Sequence, residues 1–211
     1  MAEHVPLTTH VKQRMIEQMA MLLATRGLQS ASFAEVLDAA GAPRGSVYHH
    51  FPGGKDELVI AAIEFTARRA FEFLDSLKGR TGVEVTQAFL SAWRTLLNAT
   101  SLKTGCAVLA VTVGMGDSPG LRMKTGEIFK TWRERLAERL LEGGVPADKA
   151  EGLAASLIAA SEGAVALSRA EGSLHPFDLM AAEMTAVVAA TVGAEQPRRP
   201  AGAPAGTGRR R

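Results

Sequence analysis

SFAEVLDAAGAPRGSVYHHFPGGK, residues 32–55, is the stretch whose reading decides the fold. Ser32 followed three residues later by Glu35 is a capping-box signature, so a short helix should begin there with Phe33, Val36 and Leu37 on its apolar face. Gly41 stops it. Pro43 has φ already near the helical value and no N–H to leave unpaired, which suits the first turn of a second helix reading RGSVYHHF. Two short helices joined by a tight Gly-containing turn make a helix-turn-helix, whose second helix can lie in a DNA major groove.

The side chains on that second helix fit the purpose. Arg44 and Ser46 at its N-terminal end can donate to bases or phosphates, and Gly45 leaves the backbone bare for close approach. Tyr48, His49 and His50 add further donors. Val47 and Phe51 stand four apart on one face and should anchor the helix to its neighbours. PGGK then breaks the chain, so that Lys55 and unpaired backbone N–H groups open the next helix, a place suited to a phosphate. Tyr and His beside Lys or Arg also make an ordinary solvated face; the ordered combination is what points to nucleic acid.

Residues Thr9 to about Leu58 resemble the TetR family of bacterial transcriptional regulators. The resemblance rests on a first helix reading VKQRMIEQMAMLLATRG and on Gly41, Gly45, Tyr48, His50, Phe51, Lys55, Asp56 and Leu58 at the family's spacing. The wording APRGSVYHHFPGGK, with two glycines before the lysine, is similar to the LmrA/YxaF-like branch. The resemblance implies that Arg44, Gly45 and Ser46 face bases and that Ser32, Tyr48, His50 and Lys55 hold the phosphate backbone. It gives His49 no role.

A chain of 211 residues, 46% hydrophobic, can bury a sizeable core in one domain or two small ones. Net charge is only +2, against a protein that coats nucleic acid by bulk charge. Residues 193–211 hold five Arg against one Glu, so residues 1–192 are slightly acidic, and DNA contact must come from a local patch. His4, His10, His49 and His50 fall within the first fifty residues. Cys106 is the one cysteine, so no internal disulfide can form. No leader pattern and no run of eighteen uninterrupted apolar residues is found, and a cytoplasmic chain is expected.

In order, residues 1–8 read as an N-terminal arm and Thr9 to Arg26 as a helix whose Met15 and Met19 fill core, with Gly27 as its stop. Asp56 to Lys78 reads as one long helix with Leu58, Ile63, Ala67, Phe71 and Leu74 near one face. Val85 to Asn98 is a fifth. KTGCAVLAVTVGMGDSPG, residues 103–120, has the β-branched content of a strand, but no second strand exists to pair with it, so a short helix with loops is expected. Leu121 to Leu141, Ala147 to Ala170 with Asp148 as a candidate cap, and Phe177 to Val192 follow as helices. Residues 147–170 carry small side chains every three or four positions, which lets two helices approach closely. From Gly193 the chain is Pro, Gly, Ala and Arg, too poor in large apolar residues to fold.

The expected architecture is all-α: a helix-turn-helix DNA-binding head over residues 1–55, a roughly six-helix effector-binding and dimerisation domain over 56–192, and an Arg-rich tail over 193–211. The family resemblance implies a homodimer through the helices at 147–170 and 177–192, reading a pseudo-palindromic operator. It further implies repression relieved by a small effector, with the long helix after the head carrying the shift. An apolar pocket is expected in the middle of the chain, with Trp93, Leu97, Met115, Met123, Phe129 and Trp132 as lining and Glu162 and Arg169 as polar handles. No cofactor or metal is expected, since adjacent His49 and His50 on a helix point about 100° apart. No P-loop or His-Glu-x-x-His spacing occurs, so an enzyme is not expected. Two alternatives stay open: a thiol-based redox sensor through Cys106, disfavoured by its apolar GCAVLAV surroundings, and a sequence-tolerant DNA binder using the Arg-rich tail.

Overall fold

The structure, a computed structural model, describes residues 7–43 and 45–194. Among them lie nine helices and no strand: α1 (Leu7–Arg26), α2 (Phe33–Ala40), α3 (Ser46–His50), α4 (Lys55–Asp75), α5 (Gly82–Ala99), α6 (Ala107–Gly114), α7 (Pro119–Glu142), α8 (Ala147–Glu171) and α9 (His175–Ala194). The all-α architecture with an N-terminal helix-turn-helix is therefore as expected. Several boundaries move. Leu7 and Thr8 already belong to α1, and α4 ends at Asp75, a turn earlier than expected, where Ser76 caps it and Gly79 takes φ 81°. The N-cap of α8 is Pro146, with Asp148 inside the first turn and paired with Lys149 rather than capping. The Arg-rich tail lies outside the described residues, apart from its first two, which end α9.

Two hydrophobic cores organise the chain. The upper one joins Met15, Met19 and Leu23 of α1 to Val36 and Leu37 of α2, Val47 and Phe51 of the α3 segment, and Leu58 and Ile63 of α4. It continues through Val108 and Val111 of α6 into Leu121 and Ile128 of α7, so the head shares its core with the body. The lower core gathers Leu74, Phe89, Trp93, Leu97, Trp132, Leu136, Leu157, Phe177 and Val188 from α4, α5, α7, α8 and α9. Half-buried Phe71 touches both, and the Arg135 guanidinium stacks 4.9 Å from its ring while pairing with Asp75.

The strand-like run at 103–120 folds as α6. Its edge is used up: Gly105 donates to Ala24 O at 2.8 Å, and Cys106 takes the N-cap position, its sulfur 3.4 Å from Leu109 N. Ala107, Val108 and Val111 then turn inward on one helical face. Ser118 caps α7 from the same loop, accepting from Leu121 N, and its Oγ donates to Asp56 Oδ2 at 2.8 Å, tying α7 to the start of α4.

α5 begins three residues before the expected Val85, because Thr81 and Glu84 close a full capping box. That start is wedged against the α7–α8 turn, where Gly82 N donates to Gly143 O at 2.7 Å. A Cβ on Gly143 would stand 2.7 Å from Thr81 C and 2.8 Å from Arg80 O, backbone atoms that cannot rotate away. Gly143→Ala should therefore lower stability by about 1–3 kcal/mol, the usual cost of overpacking. Thermal unfolding checks this, and a melting temperature equal to that of the unchanged chain would refute the close packing.

Candidate nucleic-acid interface and effector clefts

The head is assembled as the sequence suggests, with one local difference. Ser32 Oγ accepts from Glu35 N at 3.2 Å, but the reciprocal half of the expected capping box is missing. The Glu35 carboxylate instead takes Arg26 Nη1 at 2.6 Å and Ser32 Oγ at 3.1 Å. α2 ends at Gly41 with φ 61° and ψ 38°, a left-handed cap in which Ala42 N reaches back to Leu37 O at 2.9 Å. Pro43 O then accepts both Ser46 N and Ser46 Oγ, at 2.9 and 2.6 Å, which starts α3. Gly45 is already helical in its dihedrals but sits outside the five residues of α3.

Burial of Val47 and Phe51 at 1% exposure each fixes which side of α3 faces out. Tyr48 stands 64% exposed, its ring edge on Phe33 at 5.9 Å. Ser32, Gly45 and His49 are exposed beside it, and Ser46 and His50 half-exposed. Arg44 lies outside the described residues. His50 is held below the ordinary imidazole value by burial first, then by His49 and Lys12, so near pH 7 it is a neutral hydrogen-bonding group. Lys55 at the start of α4 already donates to Leu28 O at 3.1 Å, and Gly53 N is taken by Glu57 Oε2 at 2.7 Å. The N-terminus of α4 is thus less open to a phosphate than the bare sequence suggests.

The eight candidate ligand residues are not brought together. Trp93 and Trp132 stack 6.5 Å apart, Phe129 stacks on Trp132 at 6.1 Å, and the two Trp edge a shallow apolar cleft of about 150 Å³. Leu97 is fully buried in the lower core. Met115 is half-buried on the upper core with its sulfur 3.9 Å from Thr125 Oγ1, and Met123 stands 62% exposed. Glu162 and Arg169 line a different and larger cleft, about 340 Å³, between α1, α6 and α8. Cys106, Leu23 and Leu109 share its lining, and no periodicity in the sequence marks these three as neighbours.

Glu162 is 8% exposed, and burial pushes its carboxyl up to about 7, opposed by the neighbouring Cys106 thiol. The thiol is pushed well up in turn, by burial first and then by the Glu162 charge. A half-buried thiol held protonated beside a carboxyl is a poor nucleophile, which disfavours a redox sensor at Cys106. Contrary to the expectation that no such motif occurs, a Gly-x-Ser-x-Gly run stands at Gly116 to Gly120, but it is no nucleophile elbow, since it follows helix α6 rather than a strand and Ser118 is spent on its cap and Asp56.

A three-helix head with an outward-facing second motif helix, joined by a shared core to a helical body, defines a helix-turn-helix DNA-binding regulator. Residues 16–62 match the family described as bacterial regulatory proteins, tetR family. Residues 82–183 match the LmrA/YxaF-like transcriptional regulator C-terminal domain. An uncharacterised HTH-type transcriptional regulator of Mycobacterium tuberculosis strain H37Rv is 33% identical over 175 residues, covering 80% of this chain and 89% of that one. LmrA of Bacillus subtilis strain 168 is 28% identical over 161 residues, 74% of this chain and 85% of its own. The regulatory protein TetR from Rhodobacter sphaeroides has a similar crystal structure, with TM-score 0.76, 25% identity, and 83% of this chain and 97% of that one covered. The chain belongs to the TetR family of transcriptional regulators, in its LmrA/YxaF-like branch, and is a DNA-binding, ligand-responsive regulator.

Because the Glu162 pKa is raised on folding, its contribution to stability is complete below the ordinary carboxylate value of 4.5 and is lost as pH rises through about 7. Glu162→Gln should flatten that slope and gain up to about 3 kcal/mol over the unchanged chain above pH ~8. Thermal unfolding of both across that range checks it; parallel curves would refute the buried, uncompensated carboxyl.

Proposed function

We propose that this regulator is a homodimeric cytoplasmic repressor, holding a two-fold-symmetric operator until a small apolar or aromatic effector enters the body. The observation that carries the dimer is α9. It is apolar along its length, yet only Phe177 and Val188 are buried, while Leu179 is 57% and Val187 46% exposed. Leu167 of α8, 56% exposed, extends the same kind of surface. Helices of 25 and 20 residues are about 37 and 30 Å long, enough for a four-helix interface with a second copy. Both are also apolar and long enough to cross a membrane, but α8 packs against α7, and α9 lies along α5 and α8 on one side with its other side open.

Two heads related by a two-fold axis would each present α3 to one half-site, half-sites falling about 34 Å or a multiple apart. Arg44, Gly45 and Ser46 are proposed to read bases, and Ser32, Tyr48, His50 and Lys55 to position the phosphates. His50 would contribute a hydrogen bond to a phosphate oxygen. Lys55 would have to share its ammonium between Leu28 O and a phosphate, which three donors permit. Slightly acidic residues 1–192 leave specificity to these few donors rather than to bulk charge.

Selection of bound fragments from a random duplex pool should return a two-fold-symmetric motif; enrichment of no sequence at low salt would sink the proposal. Within that motif, Arg44→Ala should relax preference at one base pair by about 1–3 kcal/mol, whereas Tyr48→Phe should weaken all sequences alike. Leu179→Asp with Val187→Asp should give a monomer by sedimentation that no longer holds the full operator. A stable dimer from that variant would place the interface elsewhere.

A further inference from the structure

Glu162 Oε1 is buried and has no hydrogen-bond partner among the described residues, although it lines an open cleft. A buried carboxyl oxygen left unpaired is costly unless a donor reaches it. The cleft around it is apolar, with Leu23 from α1, Leu109 and Val113 from α6, and Val165 from α8. At about 340 Å³ it falls within the range of small-ligand sites.

The mouth has the opposite character. Thr25, Arg26, Ala166 and Arg169 line both this cleft and a wider groove that adds Lys103, so the two run together. Arg26 is paired with Glu35, but Arg169 and Lys103 have no carboxylate partner among the described residues. Two unpaired cations at the rim, Arg169 and Lys103, against one inner carboxyl favour an anion and oppose a cation. The inner cleft at Val165 points away from the apolar face assigned to the dimer: Val165 and Leu167 are two residues apart, about 160° around the helix.

We infer that the groove between α1, α6 and α8 binds a small amphipathic organic acid, its acid group on Arg169 and its far end donating a hydrogen bond to Glu162. The inference rests on the ligand-responsive reading and names its site and ligand class. Arg169 Nη2 donates to Thr25 O at 3.2 Å, in the last turn of α1. An acid that draws the guanidinium to itself removes that bond, so occupancy of the groove loosens the helix that carries the head. The Glu162 carboxyl, near its midpoint at neutral pH, accepts a hydroxyl or N–H at low cost.

The test uses full-length protein with 10-hydroxydecanoate, decanoate and decyltrimethylammonium in titration calorimetry, and the same three in operator-release assays. The hydroxy acid should bind about tenfold tighter than decanoate, the gain expected of one buried hydrogen bond to a charged group. The ammonium compound should not compete. Glu162→Leu should erase the tenfold difference while still binding decanoate, and Arg169→Gln should weaken both acids while still unfolding in one cooperative transition, at a somewhat lower temperature because the bond to Thr25 O is lost. Failure of both acids to bind, equal binding of the two, or preference for the cation each overturns the inference. Loss of operator binding by unliganded protein would instead overturn the regulatory reading, and the calorimetry would still decide the groove.

Discussion

The last turn of α1 is the constraint on which the rest depends. A helix ends with carbonyls that have no partner of their own, and here two of them are satisfied from the body. Gly105 N, from the loop before α6, bonds Ala24 O, and Arg169 of α8 bonds Thr25 O. A Cβ on Gly105 would come within 2.9 Å of Arg169 Nη1, so the two clamps are packed against each other. Gln29 Nε2, just past the helix, adds a bond to Gly114 O at 2.8 Å. The head is thus held by polar groups aimed at one short stretch of backbone, above a core it shares with α4, α6 and α7.

That arrangement explains why so small a motif helix can be positioned at all. Five residues of α3 make too few internal hydrogen bonds to stand alone, and their geometry is borrowed from Val47 and Phe51 in the shared core. Lys55 holding Leu28 O and Ser118 holding Asp56 brace the base of the head from two further directions. On the proposed function, a displacement of α1 against α6 and α8 would tilt the face that carries Tyr48, and such a joint would couple the cleft to the proposed DNA surface by rigid packing, with no need for a flexible linker.

Local signals in the sequence carried much of this. The Gly41 turn, the inward Val47 and Phe51, and helices α4, α5, α7, α8 and α9 follow from spacing and breakers, whereas α6 is expected only because its strand-like run has no partner strand. The limits of such signals show in a matched pair: Ser32-x-x-Glu35 and Thr81-x-x-Glu84 have the same signature, yet only the second closes fully. Arg26, nine residues before Glu35, competes for that carboxylate, and nothing local announces it. The same reason scattered the candidate ligand residues. Aromatic content drew attention to Trp93 and Trp132, which edge only a shallow cleft, while the larger cleft is built from residues 23, 106, 109, 162 and 169, brought together by helix crossings alone.

Coupling through α1 is most directly tested by amide hydrogen exchange at Gly105, whose N–H is held by Ala24 O, in free and operator-bound protein. If the joint sets the position of the head, linkage requires that DNA, by fixing the head, stabilise the joint in return, and Gly105 exchange should slow on operator binding. Identical protection in the two states, with the operator fully bound, would mean that the head is positioned independently of this joint.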